Sequence, residues 1–351
     1  MGIKSSFNKF LKNIDESIFK LTHVSEFEFK KVAIDVTLFI YKYKVSNGKN
    51  WLNQFVELIC VLRKNNIHPY FVFDGEYPLE KENEQKKRRQ IRENKKQYIM
   101  KLENALDEYK KSSYVDKLLL KFRQSYLNPH IINIEKVQEL INLKKKQLIN
   151  IRTNDMIILK ELFDVLKIGW CVAPEESEKF CSWLTLNGKA DAVMSDDSDV
   201  IAYGTPLILT KMNIWNESVV CLKFNHVIKS LGFSSLEQFL DFCIMCGTDY
   251  NPNIYKVGSV SAYKLISQYK CIENVKEHTK LDTSVLNFTK VRSLFREFIN
   301  YPEDIKVPYC KIPNWEQVDI MFYKHDIKPL SIENKQYFEF NSVILDFVDN
   351  L

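Results

Sequence analysis

Apolar runs separated by breakers organise the first part of the chain. Residues 31–41 (KVAIDVTLFIY) are apolar except at Lys31, Asp35, Thr37 and Tyr41 and predict one buried strand; residues 69–74 (PYFVFD) predict a second, closed by Asp74-Gly75. Apolar positions at helical spacing over about 51–65 join the two, and a short amphipathic helix over about 5–19 precedes them. Strand, helix and strand in alternation make a β-α-β unit of an α/β sheet. The pattern returns with a buried strand over 166–172 (LKIGWCV), a break at Pro174, a helix over 175–186 ended by Asn187-Gly188, and a strand over 190–194. Strands over 205–210 and 219–224 follow, then an amphipathic helix over 235–246 ending at Gly247 and another over about 259–269. From about residue 291 short helices alternate with loops.

This pattern places acids where parallel strands end. Asp74 closes one strand, Glu176 and Glu178 follow another, and Asp197 and Asp199 follow a third; Asp35 interrupts the first apolar run and Asp249 sits in the turn between two helices. The C-terminal ends of parallel strands share one edge of a sheet, where ligands bind. Two like charges about 4 Å apart repel by roughly 4 kcal/mol at an effective dielectric near 20, so a converging cluster is protonated, solvated or bound to cations. An all-oxygen set without His or Cys suits Mg²⁺ or Mn²⁺ better than zinc. The residues alone leave a second reading open: a solvated loop, an acidic helix N-terminus favoured by the macrodipole, and Asp35 and Asp74 as cap and turn residues.

Charge adds a second feature. The 351 residues carry a formal net charge of only +5, yet residues 81–150 hold 18 Lys and Arg against 9 Asp and Glu. That segment is therefore +9 and the remainder −4. Residues 80–100 (EKENEQKKRRQIRENKKQYIM) are helix-forming and too polar to pack a core stripe, so they are expected to project. Apolar positions return over 101–141, with Pro129 as a break, and Lys144, Lys145 and Lys146 close the segment. Such a run is either a solvated face or the cationic arm that a phosphate chain requires beside an acidic edge. The helix-turn-helix around Asp249 offers a phosphate seat on backbone N–H groups, with Gly258 at the entry of the second helix.

The eight cysteines follow no disulfide framework, which points to a reducing, intracellular compartment, and Cys243-x-x-Cys246 lies inside an apolar helix as core. No long apolar span or second membrane signal accompanies the Met1–Ser6 start, so membrane attachment is not expected.

Taken in order from Gly2 to about Ile266, these motifs resemble the flap endonuclease/XPG family of structure-specific 5′ nucleases. VAIDVTLFIY resembles the family's first motif, with its metal-site Asp at Asp35 and, six residues on, a Tyr that stacks on the base next to the cleaved bond at Tyr41. VFDG supplies Asp74, and Lys81 and Arg88 follow it by seven and fourteen residues, as the family's catalytic Lys and Arg do. APEESE carries Glu176 and Glu178, DDSD carries Asp197 and Asp199, and CGTDY carries Asp249. The resemblance implies two Mg²⁺ ions per site, with Mn²⁺ able to substitute. It implies direct ligation by Asp74, Glu176, Glu178, Asp197 and Asp199, and action through bound water for Asp35 and Asp249. Gly2, Lys144, Lys145, Lys146 and Gly258 are then the expected nucleic-acid contacts.

The implied fold is α/β of the PIN/5′-nuclease kind: a central, mostly parallel twisted sheet flanked by helices, with a helical arch insertion and a helix-two-turn-helix element. Residues 1–78 and 151–290 form the two halves of the nuclease core, with the helix-two-turn-helix at about 236–270; 79–150 form the basic arch and 291–351 a helical extension. The implied substrate is DNA with a 5′ flap, nick or junction, cleaved by a monomer in the nucleus or at a cytoplasmic viral replication site. An RNA-degrading relative and a non-catalytic nucleic-acid-binding scaffold are the alternatives; retention of all seven acids argues against the scaffold. Three departures stand out. The interval from Asp74 to Glu176 is long, the glycine-rich hairpin is reduced to Lys256-Val257-Gly258-Ser259-Val260-Ser261 without a following Lys/Arg pair, and residues 317–323 (QVDIMFY) make no clear sliding-clamp motif. They fit a stand-alone or virus-encoded member.

Overall fold

The computed structural model describes residues 2–4, 6–76, 78–124, 130–299 and 301–346; Pro129 lies outside the described residues. Seven strands, β1 (Lys20–His23), β2 (Lys31–Asp35), β3 (His68–Phe73), β4 (Gly169–Val172), β5 (Ala192–Met194), β6 (Leu207–Asn213) and β7 (Ser218–Lys223), form one sheet in the order β1-β7-β6-β5-β2-β3-β4. The five from β6 to β4 are parallel, and β7 pairs antiparallel with both β6 and β1. The expected mostly parallel sheet is therefore present.

Fifteen α-helices accompany it among the described residues: α1 (Phe7–Ile14), α2 (Val36–Asn47), α3 (Trp51–Lys64), α4 (Glu82–Ser112), α5 (Ile134–Lys146), α6 (Thr153–Val165), α7 (Ser177–Leu186), α8 (Asp199–Ala202), α9 (Phe224–Leu231), α10 (Leu236–Cys246), α11 (Ser259–Tyr269), α12 (Ile272–His278), α13 (Phe288–Arg296), α14 (Trp315–Lys324) and α15 (Ile332–Asp346). Successive residues of a strand point to opposite faces, so the sheet carries a core on each. Ala33, Tyr70, Val72 and Val193 face α1, α7, α10 and α11, while Val32, Ile34, Phe71, Phe73 and Met194 face α2, α3, α6 and α14. On the second face Phe71 and Phe163 stack with centroids 4.1 Å apart.

Several sequence expectations need correction. The apolar run 31–41 is not one strand: β2 stops at Asp35, whose side chain accepts from Thr37 N and caps α2, and the apolar residues that follow are helical. An apolar run says buried but does not distinguish strand from helix, and the cap decides. The strand expected over 166–172 is only β4, a half-exposed edge strand, because Leu166 still caps α6 and Lys167 turns the chain through a left-handed φ of 55°. β4 and β5 belong to one parallel array but are not neighbours, since β2 and β3 lie between them.

The basic segment is a helical hairpin with its own core. α4 runs unbroken for 31 residues, roughly 46 Å, and its first half is mostly exposed, as expected of a projecting helix. Its second half packs Ile99, Leu102 and Leu106 on Leu119, Ile132, Val137 and Ile141, a cluster separate from both sheet-face cores. The chain leaving α5 then touches two helices. Gln147 O accepts from Tyr41 Oη of α2 at 3.2 Å, Gln147 Oε1 from Lys95 Nζ of α4 at 2.8 Å, and Leu148 O from Arg92 of α4.

The C-terminal part returns to the sheet through His68. Its Nδ1 accepts from Cys310 N at 3.2 Å and lies 3.0 Å from Arg63 Nη1, so two donors already face the nitrogen a proton would need. Burial, then Arg63 and Lys31, push the imidazole down to about 3, and it folds neutral. The unfolded chain takes up that proton below about 6.5, so stability should fall as pH drops from about 6.5 to about 3, by about 1.4 kcal/mol per unit. Denaturant titrations of the parent and His68→Gln across this window are expected to show a shallower acid limb in the variant; parallel limbs would assign the acid sensitivity elsewhere.

Candidate active site

The C-terminal edge of the parallel strands collects the acids. Asp35 ends β2, Asp74 follows β3, Glu176 and Glu178 follow β4, Asp197 and Asp199 follow β5, and Asp249 comes from the turn after α10. Backbone contacts hold these segments in place. Gly75 N donates to Glu175 O at 2.7 Å, and a Cβ on Gly75 would lie 1.9 Å from Ala173 O, so a side chain there would push the Glu176 loop away. Gly2 adopts a left-handed φ of 85°, and a Cβ on it would lie 2.1 Å from Asp197 Oδ1. This residue, expected to contact nucleic acid, is buried against the acidic loop instead.

Within the pocket the carboxylates divide into two groups. Ser177 Oγ lies 2.7 Å from both Asp35 Oδ1 and Asp74 Oδ1, and Ser177 N donates to Asp74 at 3.0 Å; Ser195 Oγ donates to Asp35 Oδ2 at 3.2 Å. One hydroxyl proton facing two carboxylate oxygens suits a carboxyl that keeps its own proton. Burial, followed by Asp74, pushes Asp35 up to about 7, with the Ser177 and Ser195 hydroxyls pulling the other way.

The second group surrounds Lys81. Its Nζ lies 2.6 Å from Glu176, 3.5 Å from Glu178 and 3.7 Å from Asp249, and 4.8 Å from the centroid of Tyr250, whose hydroxyl donates to Glu176 at 2.7 Å. Lys81 is only 5% exposed. Burial alone would favour the neutral amine, but Glu178 and the groups beside it raise the pKa well above the usual lysine value. Arg88, two turns along α4, donates to Asp249 Oδ2 at 2.6 Å, so both cations from the start of the helical hairpin reach the acids.

Among the described residues no three His, Cys, Asp or Glu side chains are already gathered at metal-coordinating geometry; the Lys81 ammonium stands between the carboxylates. The pocket they line holds about 80 Å³, room for a few waters. Asp199 reveals what the arrangement lacks. It is fully buried, neither of its oxygens has a hydrogen-bond partner, and burial followed by Asp197 holds its carboxyl well above the usual range. Orphaned carboxylate oxygens in an all-oxygen cluster fit a hard divalent cation.

The remaining expected residues lie outside this pocket. Tyr41 stands on α2 with 41% of its surface exposed. Lys144, Lys145 and Lys146 form the last turn of α5, where Lys144 stands over Tyr98, Lys145 pairs with Glu103 and Lys146 is exposed. Gly258 caps α11, with open space where a Cβ would be. Sequence reasoning missed Ser177, Ser195 and Tyr250, although each adjoins a motif acid or begins the acidic run.

Comparison with known proteins shows the family. The chain matches the XPG N-terminal domain over residues 1–95 and the XPG I-region over 167–249. A probable RAD2-like endonuclease of invertebrate iridescent virus 3 is 34% identical over 359 residues, covering 92% of each chain, and one of invertebrate iridescent virus 6 is 30% identical over 93% of this chain and 89% of its own. In fold, the chain resembles the catalytic core of Rad2 in complex with DNA substrate (TM-score 0.64, 17% identity, covering 94% and 98%) and flap endonuclease-1 from Methanococcus jannaschii (TM-score 0.59, 21% identity, covering 94% and 98%). With both conserved regions matched and full-length relatives at this identity, the chain belongs to the XPG family, among its RAD2-like members.

Proposed function

We propose that this protein is a divalent-metal-dependent nuclease that hydrolyses DNA phosphodiesters at 5′ flaps, nicks or junctions. The observation that carries the proposal is the gathering of seven carboxylates from five chain segments at one edge of the sheet, with Lys81 among Glu176, Glu178 and Asp249 and Arg88 at the rim. Two bound Mg²⁺ or Mn²⁺ ions would supply a nucleophilic water and neutralise charge on the phosphate and the leaving oxygen. Asp74, Glu176, Glu178, Asp197 and Asp199 would hold them directly. Asp35, already bonded by two serines and Thr37 N, and Asp249, bonded by Arg88, suit roles through bound water.

The chain's own cations act on the phosphate. Lys81 and Arg88 reach the pocket from one end of α4 and oppose the charge that develops on the phosphate oxygens in the transition state. Tyr41 stacks on the base beside the bond, which its exposed ring and its place one turn from Leu38, a residue of the pocket wall, support. Residues 79–150 act as the arch over the strand and about 236–270 as the duplex-side element.

Cleavage of matched 5′-flap, nicked and single-stranded substrates, in DNA and RNA versions, tests the reading. Flap DNA should be cut with Mg²⁺ and left intact in EDTA. Undiminished cutting in EDTA would overturn the metal role, and equal cutting of RNA would overturn the DNA preference. Arg88→Ala is expected to slow single-turnover cleavage by on the order of 10²-fold while flap affinity changes only a few-fold, because its contact strengthens as charge develops. Arg89, about 100° around the same helix, is the internal control. Equal losses at both positions would leave α4 with generic charge only.

A further inference from the structure

Two buried serines tie the strand ends at the acidic edge to one another. Ser177, the first residue of α7, and Ser195, which follows β5, are each 1% exposed. Ser177 Oγ lies 2.7 Å from both Asp35 Oδ1 and Asp74 Oδ1. Its backbone N donates to the same Asp74 oxygen at 3.0 Å, so that carboxylate also sits on the positive end of a helix. Ser195 Oγ donates to Asp35 Oδ2 at 3.2 Å and accepts from Asp197 N at 3.1 Å. Two hydroxyls thereby join the ends of β2, β3 and β5 to the start of α7.

Asp35 is the strut between them. Its Oδ1 takes the Thr37 N–H at 3.2 Å besides facing Ser177, and its Oδ2 takes Ser195, so the side chain is held from both ends. From this strut the frame reaches every acid expected to hold metal directly. Ser177 orients Asp74 and stands between Glu176 and Glu178 in the chain, Ser195 fixes the loop of Asp197, and Asp197 Oδ1 accepts from Asp199 N at 3.0 Å.

Such fixing does not serve all cations equally. Mg²⁺ demands near-ideal octahedral geometry at about 2.0–2.1 Å, whereas Ca²⁺ takes about six to eight oxygens at about 2.3–2.6 Å in flexible arrangements. Choice between the two is therefore set by the freedom of the ligands as well as by their identity. We propose that Ser177 is a positioning residue that determines metal selectivity: by locking Asp74 against Asp35 at the head of α7, it holds the ligand oxygens at the spacing Mg²⁺ needs and withholds the rearrangement Ca²⁺ would use. The proposal rests on the divalent-metal reading above and adds the residue that sets which ion is taken.

The test is ion binding by the full chain without DNA. Melting temperatures of the parent and Ser177→Ala, followed against MgCl₂ and CaCl₂ at constant ionic strength, give a dissociation constant for each ion from the stabilisation it produces. The Mg²⁺ constant of the variant is expected to rise at least about ten-fold, as is usual when a hydrogen bond behind a ligand is lost, and its Ca²⁺ constant less than about three-fold. Ser195→Ala, which loosens the other end of the strut, should move the ratio in the same direction. Ser182→Ala is the control. Its hydroxyl, also buried on α7, donates to the backbone oxygen of Glu178 at 2.7 Å rather than to a carboxylate, so both constants should stay within about two-fold of the parent's. Equal losses for the two ions, an unmoved ratio in Ser177→Ala, or the same shift in Ser182→Ala would overturn the proposal and leave Ser177 a packing residue. A parent that binds neither ion would take the metal reading down with it, whereas a parent that binds both yet cuts no flap would sink the nuclease reading while the selectivity result stands.

Discussion

Asp199→Asn is expected to abolish DNA cleavage, with a loss exceeding about 10³-fold, and to raise rather than lower the melting temperature in metal-free buffer. The change keeps the shape and removes a carboxyl that is fully buried, has no hydrogen-bond partner for either oxygen, and is pushed well above the usual range by burial and then Asp197, so that the metal-free fold must protonate it. Taking up a proton on folding costs free energy at any pH above the ordinary carboxyl range, so the native fold keeps this group at its own expense, as expected of one retained for a cation. Saturating Mg²⁺ should stabilise the parent and leave the variant nearly unmoved. A variant that melts lower and cuts normally would make Asp199 a structural residue and remove the strongest support for the metal site.

The second large effect is on the fold. Arg292 of α13 grips Asp241 of α10 through Nε and Nη2, each at 2.6 Å, and Glu273 of α12 at 2.6 and 2.8 Å. Asp241 is 1% exposed and also accepts from Ile272 N at 3.0 Å. Arg292→Ala leaves that carboxylate buried without its partner, a loss of about 3–5 kcal/mol that chemical denaturation should read. Asp241→Leu/Arg292→Met should recover most of it, because replacing both members leaves no orphan charge. If the double variant is as unstable as the single, the geometry of the three helices, and not charge pairing, is what Arg292 supplies. α10 delivers Asp249, so the single variant should also lose cleavage at temperatures where it remains folded.

The parts of the fold legible in the sequence are those where pattern and chemistry coincide. β2 and β3 are apolar runs ending at acids, and α10 and α11 are bounded by Ser235, Gly247 and Gly258. β1 went unseen because a four-residue edge strand with one buried residue has almost no hydrophobic signal. The error over 31–41 has a physical origin: the apolar face of α2 begins at the residue where the apolar strand stops, and only the cap at Asp35 marks the change. Placing the acids required only order along the chain. That Lys81 stands among them as an ammonium, and that Ser177 holds two of them together, depends on side-chain packing across segments about 100 residues apart, which no local pattern encodes.

The helical hairpin's private core separates two kinds of packing in this chain. A hairpin that buries Leu102, Leu106, Val137 and Ile141 among themselves has a packing cluster of its own, apart from the two on the sheet. Substitutions in that outer cluster therefore need not disturb the packing that holds the acids.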